Sequence, residues 1–160
     1  MSEKFFIGID QSSKKTGYAV LDENGKLINY GVESISGDTV VKRAYKLMTW
    51  FDKFHKMFID GKIVVLGLED IQGSFQNYKT VVTLSKILGV FEYCLFEKKV
   101  TYKVIPVGTW RKSCGIKGRK REEQKKNAIS RVKEKYGVDA EEDAAEAICI
   151  AEHLYMDSGW

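Results

Sequence analysis

The stretch FIGIDQSSKKTGYAV, residues 6–20, contains two apolar runs separated by a polar turn. These runs predict a buried strand over residues 4–10 and a second strand over residues 16–22. The pair Asn-Gly at residues 24–25 predicts a tight hairpin turn with positive φ at both positions, leading into a third strand over residues 27–35. The chain is therefore expected to open with three consecutive antiparallel strands.

After the hairpin the sequence alternates between helical and strand patterns. Apolar residues repeat with helical spacing from Val41 to Phe58, which predicts an amphipathic helix. Asp38 is positioned to cap the start of this helix, and Gly61 ends it. The later elements are predicted as a strand over residues 62–69, a helix over 78–98, a strand over 101–106 and helices over 119–136 and 141–156. This order predicts a single α/β domain over residues 1–160, with a mixed five-stranded sheet flanked by helices.

Length, composition and cysteine usage exclude several classes of protein. The 160 residues are 44% hydrophobic and 30% charged, as expected for a globular chain. No apolar run approaches the ~20 residues of a membrane span, and the N-terminus lacks a signal-peptide pattern, so we expect no membrane association. Three cysteines without C-x-x-C spacing argue against a zinc site and indicate a reducing, cytoplasmic compartment.

Charge is distributed unevenly along the chain, although the net charge is only +4. Residues 98–135 contain 14 Lys and Arg but three acids, whereas residues 139–160 contain seven acids and no Lys or Arg. A basic block beside an acidic block suggests a surface for a polyanion next to a site for cations. The alternative is a solvated helix face without a partner.

Two acids are predicted to meet at one edge of the sheet. Asp10 ends the first strand and Glu69 ends the fourth, so parallel pairing of these strands would place them ~4.8 Å apart, where open α/β sheets bind ligands. Gly8 and Gly67 precede them on the same face and would let a helix approach closely. Alternation points Asp70 to the opposite face.

Two further acids lie three residues apart on the alanine-rich last helix. Asp143 and Glu146 share one helix face, although acids in a first turn also interact favourably with the helix dipole. Four carboxylates in one place would repel one another. A pair of Mg²⁺ ions ~3.5–4 Å apart would relieve that repulsion, since hard cations bind carboxylate oxygens.

Three blocks of the sequence resemble the motifs of the RuvC-type Holliday-junction resolvases of the RNase H-like superfamily. They are FIGIDQSSKKTGYAV, VLGLEDIQ and EEDAAEAICIAEH. The composition suits a bacteriophage or low-GC bacterial member. The resemblance implies that two Mg²⁺ ions, or Mn²⁺ in their place, are bound by four catalytic acids: Asp10, Glu69, Asp143 and Glu146. Many members have Asp where this chain has Glu146. The implied reaction cleaves DNA phosphodiesters, leaving 5′-phosphate and 3′-hydroxyl ends.

The resemblance further implies a homodimer acting on branched DNA, most often a four-way junction. The helix over residues 78–98 is apolar on more than one side and is the expected dimer interface, with deep burial in a monomer as the alternative. Contacts to DNA are expected from the loop residues Phe75, Gln76 and Asn77 and from the basic residues Arg111, Lys112, Lys117, Arg119, Lys120, Arg121 and Lys125. Packing of Phe75 under its own loop is equally compatible with the sequence.

Other functions share parts of this pattern. An RNase H-like nuclease acting on flaps, forks or RNA–DNA hybrids would use the same acids. A catalytically silent nucleic-acid-binding module would need only the basic surface. An actin-like ATPase or sugar kinase shares the first motif but needs a second lobe that 160 residues cannot supply.

Overall fold

A five-stranded sheet forms the centre of the protein in this computed structural model, which describes residues 2–73 and 75–158, without the side chain of Phe75. The strands are β1 (Lys4–Gln11), β2 (Lys15–Asp22), β3 (Leu27–Ser34), β4 (Ile63–Glu69) and β5 (Tyr102–Ile105). Their order is β3-β2-β1-β4-β5, with antiparallel β1–β2 and β2–β3 pairs and parallel β1–β4 and β4–β5 pairs. The predicted mixed sheet is confirmed.

Helices cover both faces of the sheet. Those described are α1 (Val40–Phe58), α2 (Tyr78–Glu97), α3 (Val107–Ser113), α4 (Arg121–Tyr136) and α5 (Glu142–Asp157), with a 3₁₀ turn (Phe75–Asn77) before α2. α1 and α2 pack on one face, where the rings of Phe51 and Phe91 meet edge to face. α5 packs on the other face, and α3 and α4 pack against it. Within the described part of the chain, none of the helices combines the length and apolarity needed to cross a membrane.

Two local predictions were wrong, and one helix was missed. The N-cap of α1 is Thr39, whose hydroxyl accepts from the Lys42 N–H, whereas Asp38 forms an ion pair with the Lys42 ammonium. In the β2–β3 connection only Gly25 has a positive φ, because the Asp22 carboxylate accepts two backbone N–H groups and shapes a wider turn. Helix α3 was not predicted, since its seven residues are too few to show a helical repeat.

Two glycines let α5 lie directly on the sheet. A Cβ added to Gly8 would sit 2.0 Å from the Ala147 carbonyl oxygen, and one added to Gly17 would sit 2.0 Å from that of Asp143. The predicted close approach is thus confirmed at Gly8, and Gly17 adds a contact that the sequence did not indicate. At Gly67 an added Cβ would instead meet side chains. The first turns of α5 are therefore held against β1 and β2, where Asp10 lies.

Candidate metal centre

The carboxyl edge of two parallel strands brings the first two acids together. β1 and β4 pair in parallel from Lys4↔Ile63 to Ile9↔Leu68, so Asp10 and Glu69 follow at the same edge. Helix α5 adds Glu146 from the face on which both side chains lie. One oxygen from each of Asp10, Glu69 and Glu146 can be chosen so that all three lie within 4.8 Å of one another.

The fourth predicted acid lies beside this group of three. Asp143 is half-buried and lies one turn before Glu146. Burial raises the pKa of its carboxyl group, and a hydrogen bond with Asp10 opposes that rise only in part. It lines the same groove but does not belong to the compact group. Asp70, the competing acid, is exposed, and its carboxylate accepts the Ile71 N–H at 2.8 Å.

Burial is the largest cause of a raised pKa in each of the four acids Asp10, Glu69, Asp143 and Glu146, and neighbouring negative charges add to it. For Asp10 burial is the largest cause, followed by the charges of Glu69, Glu146 and Asp143, and the pKa lies well above its ordinary value. Burial and the charge of Glu146 raise the pKa of Glu69 to about 7, against an opposing effect of Arg111. Burial also raises the pKa of Glu146. Among the described residues, one of the four acids forms an ion pair: Glu146 lies 3.7 Å from the Arg111 guanidinium.

The residues present fit a divalent cation. All four donors are carboxylates, which are hard oxygen ligands of the kind that Mg²⁺ and Mn²⁺ prefer. Asp10, Glu69 and Glu146 lie close together and are mostly buried, with Asp143 beside them, and the ion pair of Glu146 with Arg111 offsets only part of their charge. A bound cation would therefore remove repulsion that the protein leaves uncompensated.

A groove with a volume of about 320 Å³ extends from the acids toward α2. Three predicted DNA-binding residues line it: Asn77, Arg111 and Arg121. Other predicted residues are exposed at the surface, namely Gln76, Lys112, Lys117, Arg119 and Lys120. Lys125 is half-buried in an ion pair with Glu142. The prediction for the Phe75 side chain lies outside the described residues.

Three hydrogen bonds at this site were not predicted. The indole N–H of Trp110 donates to Glu69 Oε2 at 3.2 Å. Gln124 accepts from the Arg111 guanidinium at 2.7 Å and donates to the Gly118 carbonyl at 3.0 Å, which links α3 to the basic loop. The one hint in the sequence was a tryptophan within the polar segment TWRKS, after the last strand.

Comparisons with known proteins agree with this architecture. A family model described as crossover junction endodeoxyribonuclease RuvC matches residues 6–153. The structure of T. thermophilus RuvC in complex with Holliday junction substrate has a TM-score of 0.74 at 14% identity, covering 99% of this chain and 96% of that one. A second Thermus thermophilus RuvC structure has a TM-score of 0.70 at 16% identity, covering 98% and 96%. No curated protein sequence matches the chain.

Proposed function

The chain belongs to the RuvC family of crossover junction endodeoxyribonucleases, and we propose that it cleaves four-way DNA junctions with two Mg²⁺ ions held by Asp10, Glu69, Asp143 and Glu146. The observation that carries this proposal is the group of three carboxylates within 4.8 Å of one another, at the carboxyl edge of parallel strands. Mn²⁺ would replace Mg²⁺, since the donors are the same hard oxygens.

The chain's own residues supply a binding frame for this reaction. Asp10, Glu69, Asp143 and Glu146 would hold two Mg²⁺ ions, whose chemistry would be to lower the pKa of an attacking water and to stabilise the leaving oxygen, with 5′-phosphate and 3′-hydroxyl products. Asp10 and Glu146 are held on the rigid β1 and α5, so the spacing of their carboxylates is set by the close contact of helix and sheet. Arg111, 3.7 Å from Glu146, places a positive charge at the groove wall, where a phosphate would lie.

Binding of the DNA backbone is assigned to the basic side chains around the groove. Arg121 and Arg111 line the groove itself, and the exposed side chains of Lys117, Arg119 and Lys120 extend the positive surface beyond it. Lys125 is held near the entrance by Glu142. Gln76 and Asn77 lie at the other end of the groove, where the 3₁₀ turn precedes α2. We assign Phe75, the residue before Gln76, to the DNA contact as well, at the centre of the four-way junction.

The homodimer is assigned to α2. This helix buries Ile87, Phe91 and Leu95 against its own sheet, yet Tyr93 and Phe96 are 66% and 79% exposed. A Cβ added to Gly89 would meet no atom within 4 Å, so Gly89, Tyr93 and Phe96 form an open stripe at helical spacing. A second copy of α2 would cover this apolar stripe and place two active sites on one junction.

A cytoplasmic location belongs to the same proposal. Cys94, Cys114 and Cys149 are all buried and free, and a chain with three unpaired thiols suits a reducing compartment.

The decisive experiment compares cleavage of a mobile four-way junction, a flap and a linear duplex in Mg²⁺. We expect paired nicks in the junction, and Glu69→Gln should lower the rate by orders of magnitude because a metal ligand is lost. Junction affinity should hold or rise, since one negative charge near the phosphates is removed.

The matched control is Asp70→Asn, which changes the adjacent acid and should have a much smaller effect. Preferred cleavage of the flap would assign the same acids to another branched substrate. Normal cleavage by Glu69→Gln beside an inactive Asp70→Asn would contradict the assignment of ligands.

A further inference from the structure

Trp110 is completely buried, yet its polar atom points at the metal centre. Its side chain is 0% exposed and packs in the core between α5 and the sheet. A buried indole N–H needs an acceptor, and here the acceptor is Glu69 Oε2 at 3.2 Å. Packing alone would be satisfied by another large apolar ring. The hydrogen bond to Glu69 is the feature that requires tryptophan.

Contacts between α3 and α5 hold the Trp110 indole N–H in a fixed position. The Ser113 hydroxyl donates to the Trp110 carbonyl at 3.1 Å and lies 2.7 Å from His153 Nδ1 on α5. The next residue, Arg111, faces Glu146 of α5. Consecutive residues of α3 thus contact two of the three clustered carboxylates, one on β4 and one on α5.

We propose that Trp110 is a positioning residue, whose indole N–H holds the Glu69 carboxylate in the orientation that binds metal. This inference rests on the proposed function, because it assigns Glu69 as a ligand. The Trp110 ring also lies 5.3 Å from the Arg111 guanidinium, but the role proposed here belongs to the N–H that it donates to Glu69.

The chemistry of the donor explains why an indole suits this role. Glu69 is repelled by Glu146, so an untethered side chain would rotate away from the cluster while no cation is bound. Lysine or arginine in the same place would hold Glu69 but would add a charge that competes with the cation. The indole N–H is a neutral donor without acceptor capacity, so it orients the carboxylate and leaves its charge available. Partners of this kind typically contribute about 10–100-fold to metal affinity or activity.

The test is Trp110→Phe, which keeps an aromatic ring and removes the donor. Mn²⁺ binding to the free protein, followed by electron paramagnetic resonance, should weaken by about tenfold. Junction cleavage should fall at limiting Mg²⁺ and recover as Mg²⁺ is raised, which a packing defect would not do. Junction affinity without divalent cations should be unchanged. The matched control is Trp50→Phe in the aromatic cluster on the opposite face, which should leave Mn²⁺ affinity unchanged.

Replacement of Trp110 by benzothienylalanine gives a second variant, in which sulfur replaces the N–H at nearly constant shape. It keeps the test decisive should Trp110→Phe fail to fold. In a Glu69→Gln background neither change should weaken Mn²⁺ binding further, because the route through Glu69 is already lost. Wild-type Mn²⁺ affinity in both Trp110 variants would overturn the inference. A parent protein that neither binds Mn²⁺ nor cleaves junctions would instead overturn the proposed function.

Discussion

Asp10 and Glu146 are only 4% and 6% exposed, and the carboxyl groups of both have a raised pKa. Burial disfavours the charged form, and neighbouring acids add to the effect. Without a cation these carboxyl groups therefore keep their protons to a higher pH than ordinary carboxyl groups do, and a cation would displace those protons on binding. Under the proposed function, metal binding and proton release would be coupled at this site.

The metal-free protein should lose stability as pH rises through the range in which Glu69 titrates. Its pKa is about 7 in the folded protein and 4.5 ordinarily, so the folded state binds more protons between these values. The contribution of Glu69 to the free energy of unfolding, measured in EDTA, should be complete below pH 4.5 and should be lost as pH rises to about 7, by about 1–3 kcal/mol. Urea unfolding at each pH measures this, and Glu69→Gln should show a shallower decline. Equal declines in both proteins would contradict it.

Another buried acid, Glu152, is predicted to serve stability instead. Glu152 is 1% exposed and accepts from Arg131 at 2.7 Å and from Lys135, joining α5 to α4. Glu152→Ala should destabilise the fold by about 3 kcal/mol, because the partly buried Arg131 would lose its partner. Urea denaturation gives the change, with the exposed Glu134→Ala as control. A loss no larger than that of the control would show that the ion pair is dispensable.

At the scale of secondary-structure elements, the position of α5 depends on residues that have no side chain. Gly8 and Gly17 let the α5 backbone touch β1 and β2, and α5 carries Glu146 and Asp143 to Asp10. The sheet supplies two acids and the helix supplies two. The spacing of the four is therefore a property of helix–sheet contact.

Gly17→Ala should destabilise the protein by about 3 kcal/mol or more, because the new methyl group would lie 2.0 Å from a backbone oxygen. Mn²⁺ affinity should fall too, since α5 must shift away from Asp10. Thermal unfolding and Mn²⁺ binding check both effects. Gly108→Ala is the control, as no atom lies within 4 Å of that added Cβ. Equal stability of the two variants would mean that α5 moves at little cost.

The exposed stripe of α2 predicts a variant with altered assembly. Phe96→Asp should give a folded monomer, because two aspartates would face each other across the interface. Val90→Asp should do the same, since Val90 is 41% exposed. Sedimentation velocity and circular dichroism measure assembly and folding. The monomer should no longer cut opposed strands together. A parent protein that is monomeric both with and without junction DNA would contradict the dimer.

The whole molecule separates its charges by surface. The basic segment from Lys117 to Lys125 lies beside a groove whose floor is acidic, so under the proposed function a polyanion would be held at the rim while cations would be bound below. The Arg111–Gln124–Gly118 hydrogen bonds connect the rim to the carboxylates. The residues proposed to bind DNA and those proposed to bind metal thus share one continuous surface.

Removal of positive charge at the rim should weaken binding to every junction sequence alike. Replacement of Arg119, Lys120 and Arg121 by Ala should also reduce the salt dependence, by ~0.9 in slope for each phosphate that is no longer bound. Fluorescence anisotropy over a salt series measures both quantities. Lys53→Ala with Lys56→Ala on α1 is the control for loss of positive charge away from the groove. An unchanged slope in the triple variant would remove these residues from the interface.

The sequence by itself determined the strands, most of the helices and the acids at the strand ends. Local alternation reveals which residues of β1 and β4 share a face, so Asp10 and Glu69 could be paired from the amino-acid pattern alone. The two acids of α5 followed from helical spacing. These features depend on neighbours within a few residues, which is the range over which a periodic pattern carries information.

Only the tertiary structure decided which groups support the acids. Trp110 and Glu69 are 41 residues apart. Helix α3, which carries Trp110, is too short to show a helical repeat in the sequence. The contact of Gly17 with Asp143 and the tight grouping of three acids beside Asp143 depend equally on distant segments. Such contacts form when the helices pack on the sheet, and no pattern within a few residues of the sequence specifies them.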